Sequence, residues 1–315
     1  MLSEIKLSAT FIDSSSKRKI TDCNDIDVDK ELGYTIGPDG IEYGIHKGLS
    51  EELYRDAEAV NASFIKAFAR PENTMAHLKA GNGDKAIAVS TAAIGSFVHA
   101  AVLENREQEF EMWHGTTRQG NFKAHEYELA AEGKKLLTSK EYQAALGAIE
   151  AVRNSKPMRW FLDHPQTVKE LSIFVKDPVY DMTLKARADA YNIENGYLVD
   201  LKTCASAAPE VFQKAVYDYG YDLQFAHYER VAQLAGLPVN QWSIFCVEKK
   251  APFCTNIFTF GEEAKEIARA NLERLLVNIQ ADINKENPTT GWPEFTIIEP
   301  PAWKKRQFDN LKENG

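Results

Sequence analysis

Two aspartates and a lysine stand on a predicted β-hairpin near the middle of the chain. Residues 184–191 and 198–203 are strand-like, and Asn195-Gly196 between them is typical of a two-residue type I′ turn. This turn would pair Asp189 with Lys202. Because side chains alternate along a strand, one face of the hairpin is predicted to carry Lys185, Arg187, Asp189, Asp200 and Lys202.

This set of side chains suits a divalent metal beside a phosphodiester. Mg²⁺ prefers hard oxygen ligands, usually one or two carboxylates with water and substrate phosphate in the remaining positions. Asp189 and Asp200 can supply the carboxylates. Lys202 can orient a water molecule or stabilise the charge that develops on the phosphoryl oxygens. The spacing is the D-(x)n-D-x-K pattern of metal-dependent nucleases.

Two other segments contribute candidate residues, each with a simpler alternative. His99 is the one histidine of a predicted helix of small and apolar residues, where a histidine is by itself more often a core side chain than a ligand. Gln224 and Tyr228 are four residues apart on a predicted helix and share one face, a spacing that many ordinary helices also contain. Glu170 lies on a strand-like run before the hairpin.

Taken in order, these motifs resemble the RecB-type branch of the PD-(D/E)xK nuclease superfamily, and within it the nuclease domain of RecE-type exonucleases (exonuclease VIII). The similarity extends over roughly residues 50 to 305 and includes an opening helix at 61–66 and the G-x-x-x-H-x-x-x-L-E helix of residues 95–104. The resemblance implies metal ligation by His99, Asp189 and Asp200, and catalysis by Lys202. It also implies DNA-facing or site-ordering roles for Lys185, Arg187, Gln224 and Tyr228, and more loosely an acidic role for Glu170.

The same resemblance implies the fold and the reaction. The fold would be α/β, with a central mixed β-sheet flanked by helices. The activity would be Mg²⁺- or Mn²⁺-dependent degradation of linear double-stranded DNA, 5′→3′, leaving 3′ single strands for phage-type recombination. A homo-oligomer, a tetramer by resemblance, and a RecT-type single-strand annealing partner would accompany it. Ala188 replaces the usual proline of the R-P-D motif, which changes backbone stiffness and not the ligand.

Composition limits the remaining possibilities. The four cysteines, at 23, 204, 246 and 254, contain no C-x-x-C pair, so we expect thiols of a reducing cytoplasm and no iron–sulphur cluster. The uncharged run 86–103 is long enough to cross a membrane but is rich in small residues and contains His99, which favours a buried helix. The net charge of −9 requires that any DNA-binding surface concentrate its positive charge locally.

The pattern along the chain predicts three parts. Residues 1–48 are polar and rich in turns and indicate an appended, flexible segment. Residues 49–305 hold the nuclease domain, with a helix from about Pro209 to Leu234. Residues 306–315 are a polar tail.

Two further functions stay open from the sequence. One is a nuclease of the same fold that acts on single strands or flaps. The other is a non-catalytic DNA-binding scaffold, which would have no reason to retain His99, Asp189, Asp200 and Lys202 together.

Overall fold

A seven-stranded mixed sheet forms the centre of the molecule. The structure is a computed structural model, and it describes residues 11–13, 43–81, 89–115, 118, 120–285, 292 and 295–313. The sheet has the order β1-β2-β5-β6-β7-β8-β9, and a separate parallel pair is formed by β3 and β4. The strands are β1 (Phe11–Asp13), β2 (Gly44–Lys47), β3 (Phe110–Trp113), β4 (Lys135–Thr138), β5 (Thr167–Asp177), β6 (Met182–Asn192), β7 (Tyr197–Cys204), β8 (Gln241–Glu248) and β9 (Thr255–Thr259).

Helices cover both faces of this sheet. They are α1 (Glu51–Asp56), α2 (Ala62–Phe68), α3 (Met75–Lys79), α4 (Val89–Leu103), α5 (Phe122–Ala131), α6 (Ser139–Asn154), α7 (Lys156–Leu162), α8 (Pro209–Asp218), α9 (Tyr221–Leu234), α10 (Glu262–Ile283) and α11 (Ala302–Glu313). Strands β5, β6 and β7 follow one another as antiparallel neighbours, whereas β7 and β8 are parallel. A parallel pair needs a long crossover connection, which α8 and α9 provide. The predicted α/β fold class, a mixed sheet flanked by helices, is confirmed.

Each face of the sheet supports its own apolar core. One core joins the sheet to α2, α9 and α10, and the other joins it to α4, α6 and α7. Strand β8 shows the alternation that makes this possible, since Ile244 contributes to the first core and Phe245 to the second. Both faces are therefore buried, and the polar side chains on β6 and β7 lie inside the molecule.

The predicted buried helix at 86–103 corresponds to α4. It is 15 residues long, its C-terminal half is buried, and it packs against α6 and β7. No helix in the described part of the chain is long and apolar enough to cross a membrane.

The structure adds detail to the sequence-based expectation in three stretches. The helix predicted from Pro209 to Leu234 is interrupted at Gly220, whose φ of 64° lies in the left-handed region that favours glycine. The predicted polar tail 306–315 falls largely within α11. Of the predicted appended segment 1–48, β2 pairs with the central strand β5, while residues 1–10 and 14–42 lie outside the described residues.

Candidate active site

The loop of the β6–β7 hairpin is longer than predicted. Asn192 pairs with Tyr197, which leaves a four-residue loop, and the Asn192 side chain accepts hydrogen bonds from two backbone N–H groups inside it. The predicted two-residue turn is wrong, and so is the pairing of Asp189 with Lys202. Because the register moves by two residues, each side chain keeps its predicted face.

The hairpin opens at the position of Asp189. The last backbone pair is Ala190 with Val199, and beyond it the Asp189 Oδ2 accepts a hydrogen bond from the backbone N–H of Leu201 at 2.7 Å. A side-chain carboxylate thus replaces a backbone acceptor at this point of the sheet. The opening creates room between β6 and β7 for groups from other elements.

Three potential metal ligands meet at this opening. One ligand atom each from His99, Glu170 and Asp189 lies within 4.8 Å of the other two. They come from α4, β5 and β6 respectively, so the cluster exists only in the folded chain. All three residues line a cavity of 560 Å³.

The hydrogen bonding of His99 directs a lone pair toward Asp189. Its Nε2 lies 2.6 Å from the carbonyl oxygen of Leu201, which can only accept, so Nε2 carries the proton. Burial is the largest influence that lowers the pKa of His99, followed by the positive charge of Lys202, and both favour the neutral ring. The unprotonated Nδ1 then faces the Asp189 Oδ2 at 3.6 Å. Because both of these atoms are hydrogen-bond acceptors, a cation between them would receive a lone pair from each.

Asp200 has a different environment from the other two carboxylates. Its Oδ2 forms an ion pair with the Lys202 Nζ at 2.6 Å, and its Oδ1 accepts a hydrogen bond from the Gln224 amide at 2.5 Å. The Gln224 Oε1 in turn accepts from the Lys66 Nζ at 2.8 Å, and its amide contacts the Tyr228 hydroxyl at 3.3 Å. Asp200 is almost fully buried, and both of its oxygens face these partners.

The charges of this region depend on one another. Burial, then the neighbouring charge of Asp189, raises the pKa of Glu170 to about 7, although Arg187 opposes the shift. Burial and the charge of Asp200 raise the pKa of Asp189. Burial alone would lower the pKa of Lys202, but the carboxylates of Asp200 and Asp189 raise it, so this side chain stays an ammonium ion.

The two cations predicted to face DNA, Lys185 and Arg187, are both engaged by groups of the protein. Lys185 is buried, and its ammonium group donates to the carbonyl oxygens of Tyr54 and Ala57, each at 2.6 Å. Arg187 donates through Nε to the Glu170 carboxylate at 2.5 Å. The structure thus assigns Lys185 to the support of the C-terminal end of α1, and Arg187 to the orientation of Glu170. Arg187 also lines the active-site cavity, and a DNA contact by either side chain stays a prediction.

The structure brings together most residues that the sequence singled out, and it adds one. His99, Glu170 and Asp189 form one group, and Asp200, Lys202, Gln224 and Tyr228 form the adjoining one. Lys66 of α2 was not predicted to take part. Burial, then the nearby charge of Lys202, lowers its pKa to about 8. The sequence predicts a helix at residues 61–66, which includes Lys66, but it does not indicate what this side chain does. Its role follows from the tertiary contact with Gln224.

Comparison with protein-family models gives one match over most of the chain. Residues 61–291 match a family described as a PDDEXK-like domain of unknown function, DUF3799. The chain belongs to this family. None of the curated proteins compared with it matches. The range matched by the family includes every residue of the two groups above.

One solved structure is similar in fold to this chain, and a second gives a weaker match. A structure from Eubacterium rectale whose name reads "putative exonuclease" is 17% identical, covers 82% of this chain and 97% of its own, and superposes with a TM-score of 0.52. A phage-related exonuclease from Haemophilus somnus 129PT is 13% identical, covers 71% of this chain and 94% of its own, with a TM-score of 0.31. At 17% identity, the first similarity shows a shared fold and no more.

The donor set fits a hard divalent cation. Two carboxylates and a neutral imidazole nitrogen suit Mg²⁺ or Mn²⁺ more than a soft, thiolate-seeking metal. The raised pKa values of Glu170 and Asp189 show that two negative charges are costly here without a compensating positive charge. His99, Glu170 and Asp189 would therefore hold the cation. For Asp200, which is engaged with Lys202 and Gln224, ligation stays a prediction.

Proposed function

We propose that this protein is a metal-dependent exodeoxyribonuclease that degrades linear double-stranded DNA from an end. The observation that carries the proposal is the meeting of His99, Glu170 and Asp189 beside the buried Asp200–Lys202 ion pair. The PDDEXK-like family supports phosphodiester hydrolysis. The name of the Eubacterium rectale structure supports attack at ends.

The residues have separable roles in this reaction. A divalent cation, when bound, supplies activation of water and neutralisation of phosphoryl charge. Lys202 places a fixed positive charge next to the ligand group, where charge develops on the phosphate. Asp200, which is itself held by the Gln224 amide, fixes the Lys202 ammonium, and Tyr228 completes the wall of the cavity.

The finer parts of the proposal come from the RecE-type resemblance. They are Mg²⁺ as the physiological ion, 5′→3′ resection that leaves 3′ single strands, a tetrameric assembly, a RecT-type annealing partner and a cytoplasmic location. The opening of the β6–β7 hairpin into a cavity of 560 Å³ is consistent with a strand end entering the site.

The test compares linear with covalently closed circular double-stranded DNA of one sequence in Mg²⁺. We expect loss of the linear form alone, abolished by EDTA and by Asp200→Ala, with DNA binding retained in that variant. Asp218→Ala removes an exposed aspartate at the end of α8 and serves as the matched control. Asp200→Asn, which preserves shape, separates a catalytic from a folding defect.

Each other outcome has a definite meaning. Cleavage of circles would make the protein an endonuclease. Cleavage of flaps or single strands with duplex intact would establish the alternative nuclease. Full activity in Asp200→Ala would show that the site is elsewhere, and absence of both cleavage and Mn²⁺ binding in the wild-type protein would favour the scaffold.

A further inference from the structure

A second cavity lies at the other end of the helix that carries His99. It has a volume of 810 Å³ and is lined by the first turns of α4 and α6, the end of β7 and the loop after β8. We call it the basic groove, because its walls include Arg118, Lys140, Lys249 and Lys250. None of these residues belongs to the candidate active site.

The two cavities differ in charge. The active-site cavity is lined by four acidic and four basic side chains, and its arginines are engaged with carboxylates, as in the pairs Arg187–Glu170 and Arg106–Glu104. The basic groove has four basic side chains and a single acid, Glu141, which is paired with Arg118. In a chain of net charge −9, positive charge is thus concentrated in the groove.

Among the residues that the structure describes, the lysines of the groove have no carboxylate partners. No ion pair is formed there by Lys140, Lys249 or Lys250. Lys249 is half-buried, and its ammonium group donates to the Thr91 hydroxyl at 3.4 Å. Burial is also the main reason that its pKa is lowered. A half-buried ammonium without a counter-ion is expected to bind an anion that comes from outside the chain.

Helix α4 connects the groove to the active site along one side. His99 touches the Leu201 carbonyl, and Gly95 lies over Thr203, whose hydroxyl would be 3.5 Å from a Cβ at that position. Thr91, four residues further, lines the groove. Thr91, Gly95 and His99 therefore share one face of the helix. Glycine at the middle position lets α4 pack closely on β7 between the two cavities.

We propose that the basic groove binds the phosphodiester backbone of the strand being cleaved, next to its scissile phosphate. Eight residues of helix separate Thr91 from His99, which is about 12 Å. At about 3.4 Å per nucleotide of a stacked strand, the groove would hold phosphates roughly three to four nucleotides from the cleavage point. This inference rests on the proposed nuclease function and names where the substrate strand runs.

The experiment compares a substrate that extends into the groove with one that does not. The extended substrate is a 24-base-pair duplex, and the minimal one is bis(p-nitrophenyl) phosphate, which has no chain beyond the scissile group. In Lys249→Gln/Lys250→Gln we expect the ratio of kcat/KM for duplex to that for the minimal ester to fall at least tenfold. The slope of log KM for duplex against log salt should decrease by about 2, since each phosphate contact contributes about 0.9.

The matched control removes two charges elsewhere. Lys156→Gln/Arg274→Gln alters exposed residues of α7 and α10 that line neither cavity, and both its ratio and its salt slope should stay within twofold of the wild-type values. Equal melting temperatures of the two double variants verify that folding is unaffected.

Three results would overturn the proposal. In the first, Lys249→Gln/Lys250→Gln keeps the wild-type ratio and slope. In the second, thymidine monophosphate no longer inhibits this variant, but the kcat/KM ratio and the salt slope keep their wild-type values. That result would assign the groove to a free mononucleotide. In the third, which applies even if the wild-type protein cleaves nothing, a fluorescent oligonucleotide binds both proteins equally in EDTA. That binding measurement separates failure of the groove from failure of the nuclease assignment.

Discussion

Glu170 places its carboxylate beside Asp189 through an unusual backbone conformation. Its φ of 51° lies in the left-handed region, which residues other than glycine rarely adopt. The neighbouring Lys169 and Leu171 keep their pairing with β6, so the departure is confined to this one residue. Such strain persists only where the surrounding structure enforces it, and it is common at functional sites. This observation supports Glu170 as a ligand rather than a surface acid.

Substitution of Glu170 tests this role. We expect Glu170→Gln to weaken Mn²⁺ binding at least tenfold, because loss of even an outer partner of a metal site has effects of about 10- to 100-fold. Titration calorimetry measures the affinity. Glu104→Gln is the control, since Glu104 lines the same cavity but is paired with Arg106. Equal affinities in the two variants would remove Glu170 from the ligand set.

At the scale of elements, the break between α8 and α9 positions the residues that support Asp200. Gly220 turns the chain so that α9 begins at Tyr221 and presents Gln224 toward the site. A Cβ at Gly220 would lie 3.2 Å from the Lys66 Cγ, and Lys66 is the residue that hydrogen-bonds Gln224. A side chain at Gly220 would therefore displace Lys66 and disturb its hydrogen bond to Gln224, which connects the turn to the site.

Replacing this glycine should affect both stability and activity. Gly220→Ala is expected to lower the free energy of unfolding by about 1 kcal/mol or more from the left-handed backbone, and to lower kcat by displacing Lys66. Gly133→Ala is a matched control, because Gly133 also has a positive φ of 74° but has nothing within 4 Å of its added Cβ. Urea unfolding and steady-state kinetics give the two values. A normal kcat in Gly220→Ala would disprove the connection.

Helix α9 also carries a buried histidine outside the site. His227 has no exposed surface, and its Nε2 donates to the carbonyl oxygen of Lys185. Burial lowers its pKa from 6.5 to about 4, with a smaller influence of Arg230 in the same direction and opposing influences of that backbone hydrogen bond and of Asp177. The folded state thus binds a proton less readily at this position than the unfolded state does.

The sign of the pH effect follows from this difference. Above pH 6.5 His227 is neutral in both states, and its effect on the free energy of unfolding is at its most favourable. As the pH falls from 6.5 toward 4, protonation favours the unfolded chain, and the free energy of unfolding decreases by up to about 1.4 kcal/mol per pH unit. His227→Gln should flatten this part of the stability profile, whereas His114→Gln, at an exposed position, should not. Urea unfolding between pH 4 and 8 measures the slopes. Parallel profiles for His227→Gln and the wild-type protein would contradict the prediction.

At the scale of the whole molecule, the ligand group joins parts of the chain that are far apart in sequence. His99 comes from the helical layer on one face of the sheet, while Glu170 and Asp189 come from adjacent strands. A cation held by all three would link these elements in the folded state only. Its binding energy would therefore add to the stability of the entire domain.

Metal should accordingly raise the melting temperature. At a free Mn²⁺ concentration of about 100 times Kd, the added stability is about 2.7 kcal/mol, which corresponds to a rise in Tm of several degrees. Differential scanning calorimetry with and without EDTA measures the shift. In Glu170→Gln the rise at the same Mn²⁺ concentration should be clearly smaller, and an undiminished rise would place the stabilising ion at another site.

What the sequence determined by itself is mainly local. Alternating side chains and turn residues predicted β6 and β7, the shared face of Asp189 and Asp200, and the helix of His99, because these patterns depend on neighbours within a few residues. Motif order and spacing also indicated the PD-(D/E)xK superfamily, with which the matched PDDEXK-like family agrees.

Only the tertiary structure decided which of these side chains meet. The burial of Lys185 and the contact of Lys66 with Gln224 depend on segments more than a hundred residues apart. Long-range contacts also decide that the active-site cavity carries both signs of charge while the basic groove is mainly positive. The net charge of −9 gives no indication of this difference. Composition and spacing carry no information on such contacts, because long-range packing selects among many local arrangements of similar energy.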